Sequence, residues 1–107
     1  MSRRPVDHPS ARHEYLEAVE YYETQADGLG AVVIARFEDA VDDIMDAPST
    51  WPVVPGWTRR PAVRSRRVHR FPYRVVYYRR GNDIIILAYA HESRLPGFWQ
   101  ERLGDLG

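Results

Sequence analysis

Two apolar segments joined by a tight turn constrain the fold of this chain more than any other feature. Residues 73–79 and 83–91 are rich in Val, Ile, Tyr and Leu, and Gly81 and Asn82 stand between them. Branched and aromatic residues favour strands, and this pair of small residues suits a two-residue hairpin turn. The second segment is apolar on both faces, which is typical of a central strand. The carboxyl-terminal half therefore predicts an antiparallel sheet.

The amino-terminal half has helical instead of alternating spacing. Two apolar stripes recur every three or four residues: Ala11, Tyr15, Ala18, Val19 and Tyr22, then Leu29, Val33, Phe37, Ala40, Val41 and Ile44. Gly28 and Gly30 mark a turn between them, and Pro48 ends the second stripe. The short link predicts an antiparallel helical hairpin, whose acidic outer face we expect to be solvated.

The segments around these elements complete the predicted fold. Residues 3–8 predict a short strand that ends at His8, because Pro9 suits the first position of a helix. Residues 48–61 contain four prolines and predict a loop that Trp51 and Trp57 anchor on the core.

Two further elements are expected after the loop. Residues 63–70 predict a weaker strand, which a turn at Phe71-Pro72 connects to the hairpin. Pro96 begins a short helix that docks Trp99 and Leu103 on the sheet. With 107 residues the chain predicts one domain, residues 1–107. Its class is α+β, a short strand and a helical hairpin on a small, mainly antiparallel twisted sheet, with a short carboxyl-terminal helix.

Charge is balanced in total but divided between the two halves. Residues 1–58 contain 4 Arg and 11 Asp or Glu, whereas residues 59–107 contain 11 Arg and 4 Asp or Glu. Such an asymmetry indicates a charged partner. All 15 basic residues are Arg, whose planar guanidinium groups grip phosphate and carboxylate.

Several classes of protein are excluded or disfavoured by composition. The chain has no Cys, which excludes disulfides and thiolate catalysis. The longest apolar run covers the 7 residues 84–90, far below the roughly 20 that span a bilayer. The first residues do not resemble a signal peptide, so we expect a cytoplasmic protein without membrane contact. No phosphate-binding loop or metal motif is present, and no cofactor or metal is expected.

The hairpin turn predicts which side chains share a face of the sheet. Counting from Gly81 and Asn82 pairs Val76 with Leu87 and Arg74 with Tyr89. One face then carries Arg74, Val76, Tyr78, Ile85, Leu87, Tyr89 and His91. The other carries Tyr73, Val75, Tyr77, Ile84, Ile86, Ala88 and Ala90, and we expect it to contact the helical hairpin. If Phe71-Pro72 is also a two-residue turn, His69 opposes Arg74, and Arg67 lies on the same face.

The first face therefore predicts a cluster that could bind anions. Its members are Arg67, His69, Arg74, Tyr89 and His91, with Arg94 just beyond the strand. Arginines hold phosphates and stabilise a charged transition state, histidine acts as acid or base near neutral pH, and aromatic rings stack on unpaired bases. An RNA-cleaving site is one interpretation. A basic face that binds an acidic peptide, or that is merely solvated, is the other.

The order of elements and several short motifs resemble the RelE/ParE toxins of bacterial type II toxin–antitoxin systems, also described as a plasmid stabilisation family. The motifs are His8-Pro9-Ser10-Ala11, Ala18-Val19-Glu20-Tyr21-Tyr22-Glu23, Gly28-Leu29-Gly30, Phe37, Arg70-Phe71-Pro72-Tyr73-Arg74-Val75-Val76-Tyr77, Leu87-Ala88-Tyr89-Ala90-His91 and Pro96-Gly97-Phe98-Trp99. They cover residues 6–103. The resemblance implies a growth-inhibiting toxin that a cognate antitoxin neutralises, in some cases within a larger hetero-oligomer.

Two cellular targets are compatible with the resemblance. The RelE branch cleaves messenger RNA on the ribosome without a metal, whereas the ParE branch acts on DNA gyrase. Glu92-Ser93-Arg94 stands where relatives often have consecutive basic residues, and Trp99 stands where RNA-cleaving members often have a tyrosine. Both departures favour gyrase or another non-nuclease target, or else a nuclease that uses His91 or His69 in place of the tyrosine. Metal-independent RNA cleavage and a non-toxic binding module are the alternatives.

The resemblance also implies where partners bind. We expect an acidic segment of the antitoxin to cover the basic sheet and to contact Arg64, Arg66, Arg67, Arg70, Arg74 and Trp99. Complementary charge speeds and orients such an association more than it raises affinity.

Overall fold

The chain passes from helices to strands in the order that its hydrophobic periodicity predicts. The structure, a computed structural model, describes residues 4–105. Its elements are β1 (Val6–Asp7), α1 (Pro9–Gln25), α2 (Leu29–Asp46), β2 (Val63–Arg67), β3 (Tyr73–Arg80), β4 (Asp83–His91) and a 3-10 turn (Gln100–Gly104). Arg3, where the predicted first strand begins, lies outside the described residues. Within residues 4–105 no helix is long and apolar enough to cross a membrane.

One side chain caps the start of α1, and another connects its end to α2. His8 caps α1, because its Nδ1 accepts a hydrogen bond from the Ser10 amide at 3.0 Å. At the turn into α2, Gly28 has a φ of +86°, in the left-handed region that favours glycine. The carboxylate of Glu23 accepts hydrogen bonds from the amides of Gly28 and Gly30 at 3.1 and 2.9 Å. One carboxylate thus connects the end of α1 to the start of α2.

The helical hairpin packs on one face of a four-stranded sheet. The strand order is β1-β4-β3-β2, with β1 parallel to β4 and the other pairs antiparallel, so the α+β class is confirmed and β4 is central. Both predicted helical stripes face this core. In its centre the ring of Phe37 lies 5.2 Å from that of Tyr15, 4.9 Å from Tyr89 and 5.4 Å from Tyr73. Burial of these large rings stabilises the contact between helices and sheet.

The loop 48–61 and the carboxyl-terminal segment contribute to both layers. Trp51 packs against the core on the helix side, and Trp57 packs on the other face of the sheet, so the predicted anchoring is confirmed. Trp99 and Leu103 also dock on that face, as expected. They are presented by a turn and a 3-10 segment instead of the predicted helix. Gly97, with a φ of +78°, interrupts regular helical geometry there.

One extra residue in β4 makes the predicted register of the hairpin wrong. Near the turn, Tyr77 pairs with Ile86 as expected, but Val76 pairs with Ala88, so Leu87 has no counterpart on β3. This β-bulge replaces the predicted pair of Val76 with Leu87. Successive side chains in a strand alternate faces, so one extra residue moves every later side chain to the opposite face.

The bulge reverses the faces assigned to the end of β4. Arg74 pairs with Ala90 instead of Tyr89. Tyr89 belongs to the helix-side core, whereas Ala88 and Ala90, which the alternation assigned to the helices, face the opposite layer. The exchange places a large ring among Tyr15 and other aromatic residues and small side chains beneath the carboxyl-terminal segment. Burial of the large Tyr89 ring in the aromatic core stabilises the observed register.

The connection between β2 and β3 is longer than the predicted two-residue turn. Strand β2 ends at Arg67, which lies opposite Arg74, so the predicted pair of His69 with Arg74 is wrong. The chain loops through residues 69–72, and the Val68 amide closes the loop on the Tyr73 carbonyl at 2.9 Å. Phe71 explains the longer path, because its ring is buried on the helix side and lies 4.8 Å from that of Tyr22.

Candidate functional site

A groove of about 570 Å³ lies on the face of the sheet opposite the helices. Val76 and Ala90 form part of its floor, and Trp99 lies beside them. The loop at 52–55 and the segment 94–99 form its walls. The small Ala90 faces the groove only because the bulge turns it away from the helices. The bulge therefore shapes this site.

Arg67 and Arg74 stand side by side at one end of the groove. They are directly opposite each other on β2 and β3. Two like charges in this position destabilise a sheet unless an anion lies between or above them. Arg67 has one distant ion pair, 3.6 Å to Glu92, and within residues 4–105 the side chain of Arg74 has no hydrogen bond or ion pair. The pair is thus poised to receive an anionic group.

Arg94 brings a third positive charge to the groove from the segment after β4. Its guanidinium lies 3.9 Å from the centre of the Phe98 ring, in a cation–π contact. It also lies 3.8 Å from Glu14, a weak pairing for a half-exposed side chain. The contact with Phe98 holds Arg94 beside the apolar wall. Arg67, Arg74 and Arg94 all line the groove, as the sequence predicted for the anion-binding cluster.

His91 lies at the end of β4, where the groove meets a smaller cleft on the helix side. Its ring packs edge-to-face with that of Tyr73, at 5.1 Å between centres. Its Nδ1 accepts a hydrogen bond from the Ser93 amide at 3.0 Å and lies 2.7 Å from the Ser93 hydroxyl. An acceptor Nδ1 leaves the proton of a neutral imidazole on Nε2. In this tautomer Nε2 is a hydrogen-bond donor, and the Nδ1 acceptor is engaged by Ser93.

Tyr89 is absent from the groove, contrary to the sequence prediction, because the bulge turns it towards the helices. Its side chain is 2% exposed, and its ring lies 5.1 Å from that of Tyr15. Burial raises the pKa of Tyr89 far above that of an ordinary phenol. A buried, firmly protonated phenol cannot act as a base towards a ligand in the groove.

The remaining predicted residues divide between other surfaces. His69 and Arg70 lie in the exposed connection before β3, and neither lines the groove. Arg64 donates to the Trp51 carbonyl at 2.7 Å. Arg66 donates to the Asp43 carboxylate at 3.1 Å and stacks on Trp51. Both therefore point to the helix side of β2.

Of the predicted partner-binding residues, only three belong to the groove: Arg67, Arg74 and Trp99. Trp99 is 3% exposed, so it supports the groove more than it offers a contact. The role of each predicted residue in partner binding stays a prediction.

A partly buried ion pair between Glu14 and Arg102 escaped sequence analysis. Arg102 donates to both oxygens of Glu14, at 2.9 and 3.0 Å, and to the Leu87 carbonyl at 2.8 Å. Glu14 also accepts a hydrogen bond from the Tyr89 amide at 3.2 Å. Strand β1 pairs only with Ile85 and Ile86, so these side chains continue the edge of β4 where β1 stops. No local signal marks two residues so distant in sequence.

The site is therefore suited to anion and peptide binding more than to acid–base catalysis. Three guanidinium groups and the Nε2 proton of His91 are all donors. Among residues 4–105, no group of three His, Cys, Asp or Glu side chains could hold a metal ion. Within the groove, the exposed aromatic surface that RNA bases need is also scarce, because Trp99 is buried and Arg94 covers the Phe98 ring.

Comparisons with known proteins agree with this architecture. A solved structure described as "Chromosomal ParDE TA system from P. aeruginosa" is similar in fold, with a TM-score of 0.66 and 15% sequence identity. The match covers 84% of this chain and 96% of that one. No curated protein matches. The sequence profile of the family described as "ParE toxin of type II toxin-antitoxin system, parDE" matches residues 8–96. The chain therefore belongs to the ParE toxin family.

Proposed function

We propose that this protein is a growth-inhibiting toxin that acts in the cytoplasm, that a cognate antitoxin neutralises it, and that its target is DNA gyrase. Family membership supports the toxin role. The choice of gyrase over RNA rests on one observation, that neither Tyr89 nor His91 is placed to act as a general base. Tyr89 is buried in the core, and the Nδ1 of His91 is already bonded to Ser93.

Metal-independent cleavage of RNA needs a group that removes the proton of the 2′-hydroxyl. That group must reach its proton within hydrogen-bond distance and have a pKa near neutrality. Burial denies this role to Tyr89, and Trp99 has no ionisable hydroxyl. The geometry of His91 supplies a donor instead of an acceptor. These features favour inhibition by binding over inhibition by cleavage.

A binding toxin needs a surface that recognises a folded target. The groove combines an apolar floor with a rim of Arg67, Arg74 and Arg94. Arginines beside apolar surface are typical of the energetic centre of protein interfaces. The groove is therefore the surface that we assign to the target.

Purified proteins test this proposal directly. The toxin is added to purified gyrase and relaxed plasmid, and supercoiling is followed by gel electrophoresis. We expect saturating toxin to block supercoiling and Arg74→Gln to weaken the block at least about tenfold, since truncation of a central interface arginine costs 2 kcal/mol or more. The matched control is Arg60→Gln, which removes the same charge from an exposed residue outside the groove. Full supercoiling at saturating wild-type toxin contradicts the gyrase assignment.

RNA cleavage is the second candidate, because three arginines and the donor of His91 could together hold a phosphate group. Expression of the chain alone, followed by mapping of transcript ends, separates the two functions. New transcript ends that vanish in Arg74→Gln and in His91→Ala support the nuclease. Normal colony counts after induction of the chain alone contradict both and leave a non-toxic binding module.

A further inference from the structure

The outer face of the helical hairpin carries an open apolar depression of about 490 Å³. Leu16 and Val19 of α1 and Ala31 and Ile34 of α2 form its apolar surface. Leu16 is 55% exposed and Ile34 is 40% exposed, although both side chains are large and aliphatic. Neither belongs to the core that holds the hairpin on the sheet. The depression therefore presents apolar surface that the fold itself does not bury.

Acidic groups border this apolar surface. Glu20 and Glu23 line the depression, and no basic side chain of residues 4–105 does so. Hydrogen bonds from the amides of Gly28 and Gly30 lower the pKa of Glu23, so its carboxylate is charged at neutral pH. The Glu20 side chain has no hydrogen bond or ion pair within residues 4–105. A ligand on the apolar surface therefore meets two negative charges.

The rest of the hairpin extends this negative field. Residues 9–46 contain 10 Asp or Glu and 2 Arg. Both arginines have carboxylate partners on the protein itself, because Arg12 donates to Asp7 and Arg36 lies 3.5 Å from Asp39. Such a surface attracts a basic partner and repels an acidic one. An anionic membrane and the same hairpin face of a second copy are disfavoured for this reason.

We infer that the outer face of the helical hairpin binds a basic amphipathic helix of a partner protein, whose apolar stripe packs on Leu16 and Ile34 and whose lysines or arginines pair with Glu20 and Glu23. Two adjacent helices offer a groove to a third, because side chains three and four residues apart form ridges that interdigitate. The stretch from Leu16 to Thr24 is roughly 12 Å long, about two helical turns. It therefore accommodates two apolar anchors one turn apart.

This hairpin surface is separate from the groove on the sheet, because no residue lines both. A basic helix on the hairpin and an anionic ligand in the groove can thus bind to the chain at the same time. The acidic antitoxin segment expected at the arginines has the wrong charge for the hairpin. The inference therefore goes beyond the proposed function and does not depend on the identity of the target.

Labelled peptides test the inference with the full chain. The probe is a fluorescein-labelled tetradecapeptide of Leu, Ala and Lys whose leucines recur every three or four residues, and fluorescence anisotropy measures its binding. A second peptide has the same composition without the apolar stripe, and a third has Glu in place of Lys. We expect the first peptide to bind about tenfold more tightly than either of the others, a factor that corresponds to burial of one aliphatic side chain.

Matched variants locate the peptide on the protein. Leu16→Ala and Ile34→Ala each truncate an exposed anchor without loss of helix propensity, and each is expected to weaken binding about fivefold. Glu20→Lys is expected to weaken binding about fivefold at low salt and less at high salt, because the charge pair is exposed. Leu95→Ala, at a leucine that is 79% exposed outside the hairpin, and Arg74→Gln in the groove are the controls and should bind as the wild type does. Circular dichroism and thermal unfolding confirm that each variant is folded.

Other outcomes overturn the inference. Equal binding of the peptide with Glu removes the charge complementarity, and unchanged binding by both Leu16→Ala and Ile34→Ala moves the site elsewhere. Weaker binding by Arg74→Gln places the peptide in the groove. Self-association that Leu16→Ala abolishes, measured by sedimentation, makes a second copy of this chain the occupant. Binding to phosphatidylglycerol vesicles that Leu16→Ala abolishes makes the face a lipid surface.

The inference and the proposed function fail separately. A chain that inhibits growth but binds none of the peptides contradicts the inference alone. A chain that binds the basic amphipathic peptide but does not inhibit growth contradicts the proposed function alone.

Discussion

Glu14 and Arg102 form a bidentate ion pair at 2.9 and 3.0 Å, although they lie 88 residues apart in sequence. Their side chains are only 14% and 15% exposed. The pair bonds the Tyr89 amide and the Leu87 carbonyl on the edge of β4. It thereby connects α1, the central strand and the carboxyl-terminal segment that walls the groove.

We expect Arg102→Gln to lower the free energy of unfolding by about 2–4 kcal/mol, because it leaves the partly buried Glu14 with only the more distant Arg94, at 3.8 Å, as a counter-charge. Urea denaturation of each variant measures the loss. Glu17→Gln, on an exposed position of the same helix, is the control and should cost less than about 0.5 kcal/mol. Equal losses in the two variants would mean that the ion pair adds nothing to stability.

Substitutions of Tyr89 test whether the bulge places its side chain in the core instead of the groove. The phenol lies in the aromatic core instead of the groove, so we expect Tyr89→Phe to retain growth inhibition and to lose less than about 1.5 kcal/mol of stability. Tyr89→Ala should lose about 3–5 kcal/mol, because it opens a cavity against Tyr15 and Phe37. Growth assays and thermal unfolding measure both. If a folded Tyr89→Phe protein loses its toxicity, the Tyr89 hydroxyl takes part in toxicity and our expectation is wrong.

Stability at acid pH should depend on Glu23. Hydrogen bonds from the Gly28 and Gly30 amides hold its pKa below the ordinary value of 4.5. Because the folded pKa is depressed, this contribution is present above pH 4.5 and is lost as the pH falls through the lower folded value. We expect the melting temperature of Glu23→Gln to lie below that of the wild type at pH 7 and to approach it at pH 3. A difference that does not shrink on acidification contradicts this role, and Glu20→Gln is the exposed control.

At alkaline pH two buried tyrosines should resist ionisation. Burial raises the pKa of Tyr77 to about 12, and burial together with the nearby Glu38 raises that of Tyr15 to about 12. A folded pKa above the ordinary value of 10.0 means that the stability they provide is complete below pH 10 and is lost as the pH rises towards 12. Ultraviolet titration should therefore show two fewer phenols ionising near pH 12 in a Tyr15→Phe/Tyr77→Phe double variant. Loss of the two phenols from the part of the curve near pH 10 instead argues against their burial.

The elements themselves were predictable, because each depends on local pattern. Helical spacing from Ala11 to Tyr22 and from Leu29 to Ile44 predicted both helices and the faces that they bury. Gly81 with Asn82 predicted the hairpin turn, and the bounds of β4 agree with the structure. Arg67, Arg74 and Arg94 line one groove as predicted, although the predicted pair of His69 with Arg74, on which the placement of Arg67 depended, was wrong.

The faces of β4 beyond Ile86 could not be predicted, because residues 84–90 are apolar without alternation and no sequence signal favours one register. Packing decides the register, since Tyr89 gains more buried surface beside Phe37 than Ala88 or Ala90 would. Long-range pairs such as Glu14 with Arg102 form only when the chain is folded.

By itself, the sequence determined the order of helices and strands, the segregation of charge and the family. Local periodicity, residue counts and short motifs are sufficient for these, and none of them requires contacts between distant segments. Only the tertiary structure decided that Tyr89 belongs to the core and that Ala90 opens a groove between arginines. The physical reason is that one extra residue in a strand exchanges its two faces, and the energy that selects this arrangement comes from contacts between segments distant in sequence.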